Sequence, residues 1–144
     1  MDRSRPLEAY MEPIAIVTLI LAALYIVGRG PLVFAPAATV EVYRRMFATT
    51  GRTRVFGSFL ALLAVPLVVT ARLGRAEHGD ITILIEVMGW LSAAAAVIVL
   101  VAPETMSRLL LGFWDAASHP VRRAMGALNI AFGVGLGWVA FVAF

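Results

Sequence analysis

The sequence predicts an all-α integral membrane protein, with four transmembrane helices arranged as two parallel helix–amphipathic connector–helix repeats. Of its 144 residues, 61% are hydrophobic, whereas an ordinary soluble domain is about 45–50% apolar. The apolar residues are concentrated in four blocks, and the two longer connectors between these blocks follow one pattern. With short connectors there is no room for a separate soluble domain, so we expect a single four-helix membrane domain over residues 1–144.

The four apolar blocks differ in how well they match the length of a membrane span. They cover residues 13–28, 55–71, 81–102 and 124–144, and the first reaches residue 34 if it continues through Arg29. A spanning helix needs about 20 mostly apolar residues, with a range of roughly 17 to 25. In hydrocarbon the backbone must form helices or barrel strands. Stretches such as residues 93–100 lack the alternation of barrel strands, so the blocks are predicted to be helices.

The two longer connectors indicate an internal repeat. Each begins with Ala-Pro, continues as an amphipathic segment and enters the next apolar block through Arg-x-x-Gly. Pro36 and Pro103 are 67 residues apart, whereas Gly57 and Gly126 are 69 apart, so the second connector is two residues longer. We predict repeats over about residues 13–71 and 81–144. Two copies with an even number of spans must lie parallel, related by an axis along the membrane normal.

Each connector is predicted to form an amphipathic helix on the membrane surface. In the second connector, Met106, Leu109, Leu110 and Phe113 recur at helical spacing on one face. Such helices either cap the bundle or dock a partner, and arginines on them reach lipid headgroups. The candidate docking residues are Tyr43, Phe47, Phe113 and Trp114. The candidate headgroup ligands are Arg44, Arg45, Arg52, Arg54, Arg108, Arg122 and Arg123.

Each half resembles the small two-helix bacterial inner-membrane proteins of the YjeT type. The matching residues are Pro36, Arg44, Arg45, Arg54 and Gly57 in the first half, and Pro103, Arg108, Pro120, Arg123 and Gly126 in the second. This chain departs from that pattern by being two units long, and its first half has no counterpart of Pro120. The resemblance covers most of the chain and implies a fold, but it supplies no activity.

The arginines also predict how the chain is oriented. The face with both termini and the loop at residues 72–80 carries four arginines, and the face with the longer connectors carries eight. Because Arg near span ends favours the cytoplasmic side, both termini are predicted outside a bacterial inner (cytoplasmic) membrane. The net charge of +3 is small and lies in the loops, which suits anionic lipids rather than nucleic acid.

Glu86 is the main candidate for chemistry within the apolar blocks. An ionisable residue in a span is a functional candidate by default, here for proton or cation coupling. It lies about six residues into its block, or about 9 Å along a helix. At that depth it can also reach headgroups or water, which gives a structural or interfacial role.

Small residues predict where the spans pack closely, within the bundle rather than between subunits. Gly133 and Gly137 form a small-x-x-x-small pair, and Asn129 would need an interhelical hydrogen bond. The predicted helix-packing residues are Gly57, Gly89, Gly126, Asn129, Gly133 and Gly137.

Two functions remain open from the sequence. The first is a non-enzymatic accessory, scaffold or assembly subunit of a larger membrane complex, whose partners are membrane lipids and other subunits or copies of itself. The alternative is a small homo-oligomeric transporter or channel that uses Glu86. The sequence has no cysteine, which excludes thiolate metal sites and a Cys nucleophile, and we find no other catalytic, metal or cofactor constellation. A small membrane enzyme of glutathione or lipid-mediator metabolism would rest on size and span number alone.

Overall fold

The computed structural model describes residues 12–144, which are helical throughout apart from short turns and contain no strand. The helices are α1 (Pro13–Arg29), α2 (Pro31–Phe34), α3 (Pro36–Met46), α4 (Thr50–His78), α5 (Ile81–Val101), α6 (Pro103–Ala116) and α7 (His119–Val142). Four stretches are long and apolar enough to cross a membrane, namely Pro13–Phe34, Thr50–His78, Ile81–Val101 and His119–Val142. The predicted all-α fold with four such helices is therefore confirmed. Arg3 and Arg5, two arginines assigned to the terminal face, lie outside the described residues.

The first span continues through Arg29, as its length required. Gly30 donates its backbone N–H to the carbonyl of Ile26 at 2.8 Å, and Val33 donates to Gly30 at 3.0 Å, so the short α2 extends α1 with little interruption. Pro31 is placed at the first position of α2, where its missing N–H has no helical partner to lose.

The α4 helix is longer than the apolar block that predicts it. The block covers residues 55–71, whereas the helix has 29 residues from Thr50 to His78. Its start is fixed by Thr49, whose side chain accepts the backbone N–H of Arg52, and it ends at Gly79 with φ +64°. Hydropathy detects only the part of a helix that suits hydrocarbon, so the polar last two turns of α4 are missed.

Two helix pairs build the bundle. The α4 helix packs along α5, and α1 packs along α7, with a smaller contact between α1 and α4. The helices of each pair come from different halves of the sequence. The central core combines buried side chains from all four long helices: Ile14, Leu21, Ala22, Leu67, Ala71, Ile85 and Leu136.

The two ends of the bundle are built differently. At the terminal end, which holds the start of α1, the α4–α5 loop and the last residue, the His78 Nε2 lies 2.5 Å from the Glu12 carboxylate. The His78 ring also packs on Phe144, with ring centroids 5.0 Å apart. The opposite end, which we call the connector end, holds α3 and α6. Large apolar side chains such as Leu62 and Phe141 remain exposed along the sides between these ends.

Candidate functional site

The connector end is formed by two helices with the same kind of start. Both α3 and α6 have proline at their first position, where no N–H is needed. The preceding residues, Ala35 and Ala102, have nearly the same backbone angles, with φ −136° and ψ 65° against φ −129° and ψ 60°. Each alanine N–H still bonds the helix before it, at 2.8 Å. The chain therefore turns from the span into the connector helix by one local geometry used twice.

An ion pair and an aromatic contact join α3 to α6. The Arg44 guanidinium lies 2.7 Å from the Asp115 carboxylate, and it also binds Glu41 on its own helix at 2.8 Å. The Tyr43 and Trp114 rings pack with centroids 5.6 Å apart. The pKa of Glu41 is lowered, mainly by a hydrogen bond from Arg45 and next by one from Arg44. The pKa of Arg44 is raised by its hydrogen bonds to Asp115 and Glu41. The two connector helices thus form one connected layer.

This layer uses most of the residues predicted to dock a partner. Trp114 is 6% exposed and Phe47 is 8% exposed, so both rings are packed within the chain itself. Tyr43 packs against a buried cluster that contains Leu32, Val40 and Trp114, and its hydroxyl donates to the Gly28 carbonyl. Phe113, at 48% exposed, stays available on the outer side of α6. Aromatic residues on an amphipathic face indicate that this face is buried against another surface, and here that surface is the helix bundle of the same chain.

The arginines predicted to reach lipid headgroups fall into two groups. Five have partners in the chain: Arg44 and Arg45 bind carboxylates, while Arg52, Arg108 and Arg122 donate to backbone carbonyls. Of these last three arginines, Arg122 makes the most hydrogen bonds, because its Nε and one terminal nitrogen both donate to the Trp114 carbonyl, at 3.0 and 2.5 Å. Among residues 12–144, the exposed side chains of Arg54 and Arg123 have no hydrogen-bond or carboxylate partner. These two are the most available for headgroups.

Four of the five predicted packing glycines lie at close helix contacts. A Cβ on Gly57 would be 2.8 Å from Val99, and one on Gly89 would be 2.7 Å from Val68. The same construction on Gly126 and Gly133 gives 2.9 Å to Val33 and 2.6 Å to Ile26. Close approach of helix backbones therefore depends on the missing side chain at these positions.

Gly137 and Asn129 do not follow the packing prediction. Nothing lies within 4 Å of a Cβ built on Gly137, so no described residue occupies the space that a side chain would fill there. The Asn129 amide donates to the Met125 carbonyl at 2.7 Å, within its own helix. In place of the predicted interhelical bond, one of the two N–H donors of this amide makes a local bond within α7.

Glu86 is bound by two arginines that sequence reasoning did not connect to it. Its Oε1 accepts from Arg72 Nε at 2.8 Å, and its Oε2 accepts from Arg75 at 2.6 Å. The Trp90 indole lies 3.4 Å from Oε1, and the Glu86 side chain is 12% exposed. The carboxylate lies between two guanidinium groups, whose positive charges repel an incoming cation. This geometry disfavours ion coupling through Glu86.

Three side chains at the terminal end have the composition of a weak cation site. One ligand atom from each of Glu12, Glu77 and His78 lies within 4.8 Å of the others. The Glu77 side chain is 73% exposed, however, and the Glu12 carboxylate already binds the imidazole. The geometry is explained by a contact that ties the start of α1 to the end of α4.

An open groove runs on one side of the bundle, where α5 and α7 do not pack along each other. It has a volume of about 500 Å³ and is mostly apolar; its lining residues are Tyr25, Met88, Leu128, Asn129, Ala131 and Phe132. Among the lining residues, the Tyr25 and Phe132 rings pack edge to face with centroids 5.0 Å apart. The groove is open along its side, unlike the enclosed cavity that buries most of a small ligand.

Comparison with protein-family models, curated proteins and solved structures finds no match for this chain. Its function is therefore inferred from its own geometry and charge distribution.

Proposed function

We propose that the protein is a non-enzymatic accessory or assembly subunit of a larger complex in a bacterial inner membrane, and that the groove between α5 and α7 receives a transmembrane helix of a partner. The groove carries this proposal, because it is an apolar recess on the side of helices that are themselves apolar enough to span a membrane. An apolar surface against lipid offers no hydrophobic gain, so helix association there depends on shape and close packing. A recess between two helices supplies that shape.

Charge distribution supports insertion with the connector end in the cytoplasm. The connector end carries eight arginines against three carboxylates, whereas the described part of the terminal end carries two arginines against four carboxylates. The resulting charges are +5 and −2, and arginine near span ends favours the cytoplasmic side. A reporter that is active only in the cytoplasm, fused to the C-terminus, should therefore be inactive. Strong reporter activity would contradict this orientation.

The proposal includes a duplication of one helix–connector–helix unit, and the glycine contacts support it. Gly57 faces Val99 and Leu100, and Gly126 faces Leu32 and Val33. The sequence offset is 67 residues for the first spans and 69 for the second spans, so Leu32 corresponds to Val99 and Gly57 to Gly126. The same contact therefore occurs twice with the halves exchanged, as expected for an approximate two-fold axis.

Burial follows the same correspondence. Within the spans, eight corresponding pairs are buried at both members: Ala15 and Thr82, Thr18 and Ile85, Ala22 and Gly89, Leu32 and Val99, Gly57 and Gly126, Ala64 and Gly133, Leu67 and Leu136, and Ala71 and Ala140. The correspondence fails on one side of the bundle, where α1 packs on α4 but their counterparts α5 and α7 stay apart. The groove is the site that would be closed if the two halves packed identically. A partner helix is proposed to occupy this unmatched side.

Site-specific photo-cross-linking in native membranes tests the partner. A photoreactive residue replaces Leu128, which is 69% exposed and lines the groove, and in a second variant it replaces Leu62, which is 75% exposed on α4. We expect one discrete protein adduct from position 128 and none from position 62. Lipid adducts alone at position 128 would contradict the proposal. A dimer of the chain there would favour the homo-oligomeric alternative instead.

A further inference from the structure

We propose that Arg72 and Arg75 bind the phosphate of an anionic phospholipid at the terminal end of the α4–α5 pair, with Glu86 as the residue that positions them. This inference rests on the proposed membrane insertion and is independent of the accessory role. It concerns the end of the bundle opposite the arginines that the sequence assigns to headgroups.

The two guanidinium groups keep unused donors. Arg72 binds Glu86 through Nε and Arg75 through one terminal nitrogen, whereas each guanidinium has five N–H donors. Their side chains are 59% and 50% exposed. One carboxylate neutralises only one of the two charges, so the cluster has a net charge of +1. Paired guanidinium groups match the oxygens of a phosphate through parallel N–H bonds.

The cluster is ordered before any ligand arrives. Glu86 bridges the two arginines, and the Arg72 guanidinium lies over the Trp90 ring at 5.5 Å. Holding two long side chains in place removes part of the entropy that binding would otherwise cost. A carboxylate beside an anion site weakens anion binding. Here the single negative charge of Glu86 is smaller than the two positive charges of the arginines that it holds in place.

The location fits a headgroup rather than a free ion. Arg72 directly follows Ala71, the last residue of the apolar block in α4, so its guanidinium lies where hydrocarbon gives way to polar groups. Trp90 beside it is of the residue type enriched at that boundary. Val65 and Val69 precede Arg72 on the same helix face and are 65% and 48% exposed. A phosphate held by the arginines would have its acyl chains against this apolar face, a contact that inorganic phosphate cannot make.

Tryptophan fluorescence in vesicles tests the site, because Trp90 is part of it. Replacing Trp114 and Trp138 by Phe leaves Trp90 as the reporter. Replacing Trp90 and Trp114 by Phe leaves Trp138, which is 69% exposed near the same end of the bundle and has no arginine over its ring among the described residues. Each full-length variant is placed in phosphatidylcholine vesicles that contain increasing amounts of brominated phosphatidylglycerol or brominated phosphatidylcholine as the quencher.

We expect half-maximal quenching of Trp90 at a mole fraction of brominated phosphatidylglycerol about fivefold lower than that of brominated phosphatidylcholine. An arginine near the membrane surface contributes about 1 kcal/mol to the attraction of anionic lipid, which corresponds to about that factor. Trp138 should respond equally to both lipids. Adding R72Q and R75Q to the Trp90 reporter should remove the preference for the anionic lipid, and circular dichroism checks that this variant is folded. If the double variant unfolds, R75Q alone is used, and it should reduce the preference.

Three outcomes would overturn the inference. Equal quenching of Trp90 by both lipids would show that no anionic lipid collects at the arginines. Loss of the preference on adding inorganic phosphate, at constant ionic strength, would assign the site to a free anion. Absence of quenching at both Trp90 and Trp138 would instead contradict membrane insertion, and with it the basis of the lipid site.

Discussion

At the scale of single residues, the glycines on α7 separate into positions that contact another helix and positions that do not. Alanine at Gly126 would place its methyl group 2.9 Å from the Val33 backbone nitrogen, closer than real Cβ atoms come to other heavy atoms. We expect Gly126→Ala to lower the free energy of unfolding by about 1–3 kcal/mol, because an overpacked helix contact must shift backbone.

Gly137 is the matched control for this substitution. A methyl group there has no neighbour within 4 Å, and alanine raises helix propensity by up to about 1 kcal/mol over glycine. Gly137→Ala should therefore leave the unfolding midpoint unchanged or raise it. Unfolding followed by circular dichroism in one detergent compares the two variants, and equal effects would show that the α2–α7 contact does not depend on Gly126.

The sequence alone could not separate these two glycines. Gly133 and Gly137 share one helix face and one spacing rule, and a spacing rule describes only the helix that carries it. Which part of that face meets α1 depends on the position and crossing of the other helix, which no residue of α7 reports. Asn129 shows the same difficulty, because a carbonyl of its own helix accepts one of the amide N–H groups that suggested an interhelical bond.

At the scale of helices, adjacent arginines at the start of α7 have different roles. Arg122 donates hydrogen bonds to the backbone carbonyl of Trp114, near the C-terminus of α6. Arg123 is exposed, and its side chain has no partner among the described residues. We expect R122Q to destabilise the protein by about 1.5–3 kcal/mol, the usual contribution of a hydrogen bond to a charged group. R123Q should change stability by less than about 0.5 kcal/mol. Chemical unfolding of both variants measures the difference, and matching losses would contradict the assigned role of Arg122.

The ion pairs within α3 should weaken in acid. Arg45 and Arg44 hold the pKa of Glu41 below its ordinary value of 4.5. A carboxyl whose pKa is lowered by folding contributes stability that is present above its unfolded pKa, and this contribution is lost as the pH falls through the folded value. Thermal midpoints should therefore fall as the pH drops below 4.5.

Part of that acid dependence should disappear in Glu41→Gln, which has no charge to lose. Glu104 provides the control, because its carboxylate forms no ion pair among residues 12–144. Thermal midpoints of the two variants across the acid range compare them. A Glu104→Gln variant that flattens the profile as much as Glu41→Gln would show that the arginine contacts are not the cause.

Helix identity was predictable here, and helix ends were not. The apolar blocks located all four long helices because hydropathy reports directly on suitability for hydrocarbon. The polar turns of α4 after Ala71 carry no such signal, so Arg72 and Arg75 were assigned to a loop. Their pairing with Glu86 follows only once α4 is known to run past the start of α5.

At the scale of the whole molecule, each helix pair draws on both halves of the chain. Residues 1–79 and 80–144, produced as separate polypeptides in one cell, should therefore assemble into a complex through the α1–α7 and α4–α5 contacts. Purification through a tag on one fragment, followed by detection of the other, measures this. Substitution G126L should reduce recovery, whereas G137L is the control. Fragments that purify separately would contradict the crossed arrangement.

The pairing of α1 with α7 also constrains how the protein is made. The α1 helix leaves the ribosome before α7, which is its main neighbour, because a nascent chain grows from its N-terminus. The packing face of α1 and α2, with Ala22 and Leu32, must therefore remain in lipid or against an insertion factor until α7 has been synthesised. Premature termination before His119 would leave that face permanently unmatched, and we expect pulse-chase labelling to reveal rapid proteolysis of such a product.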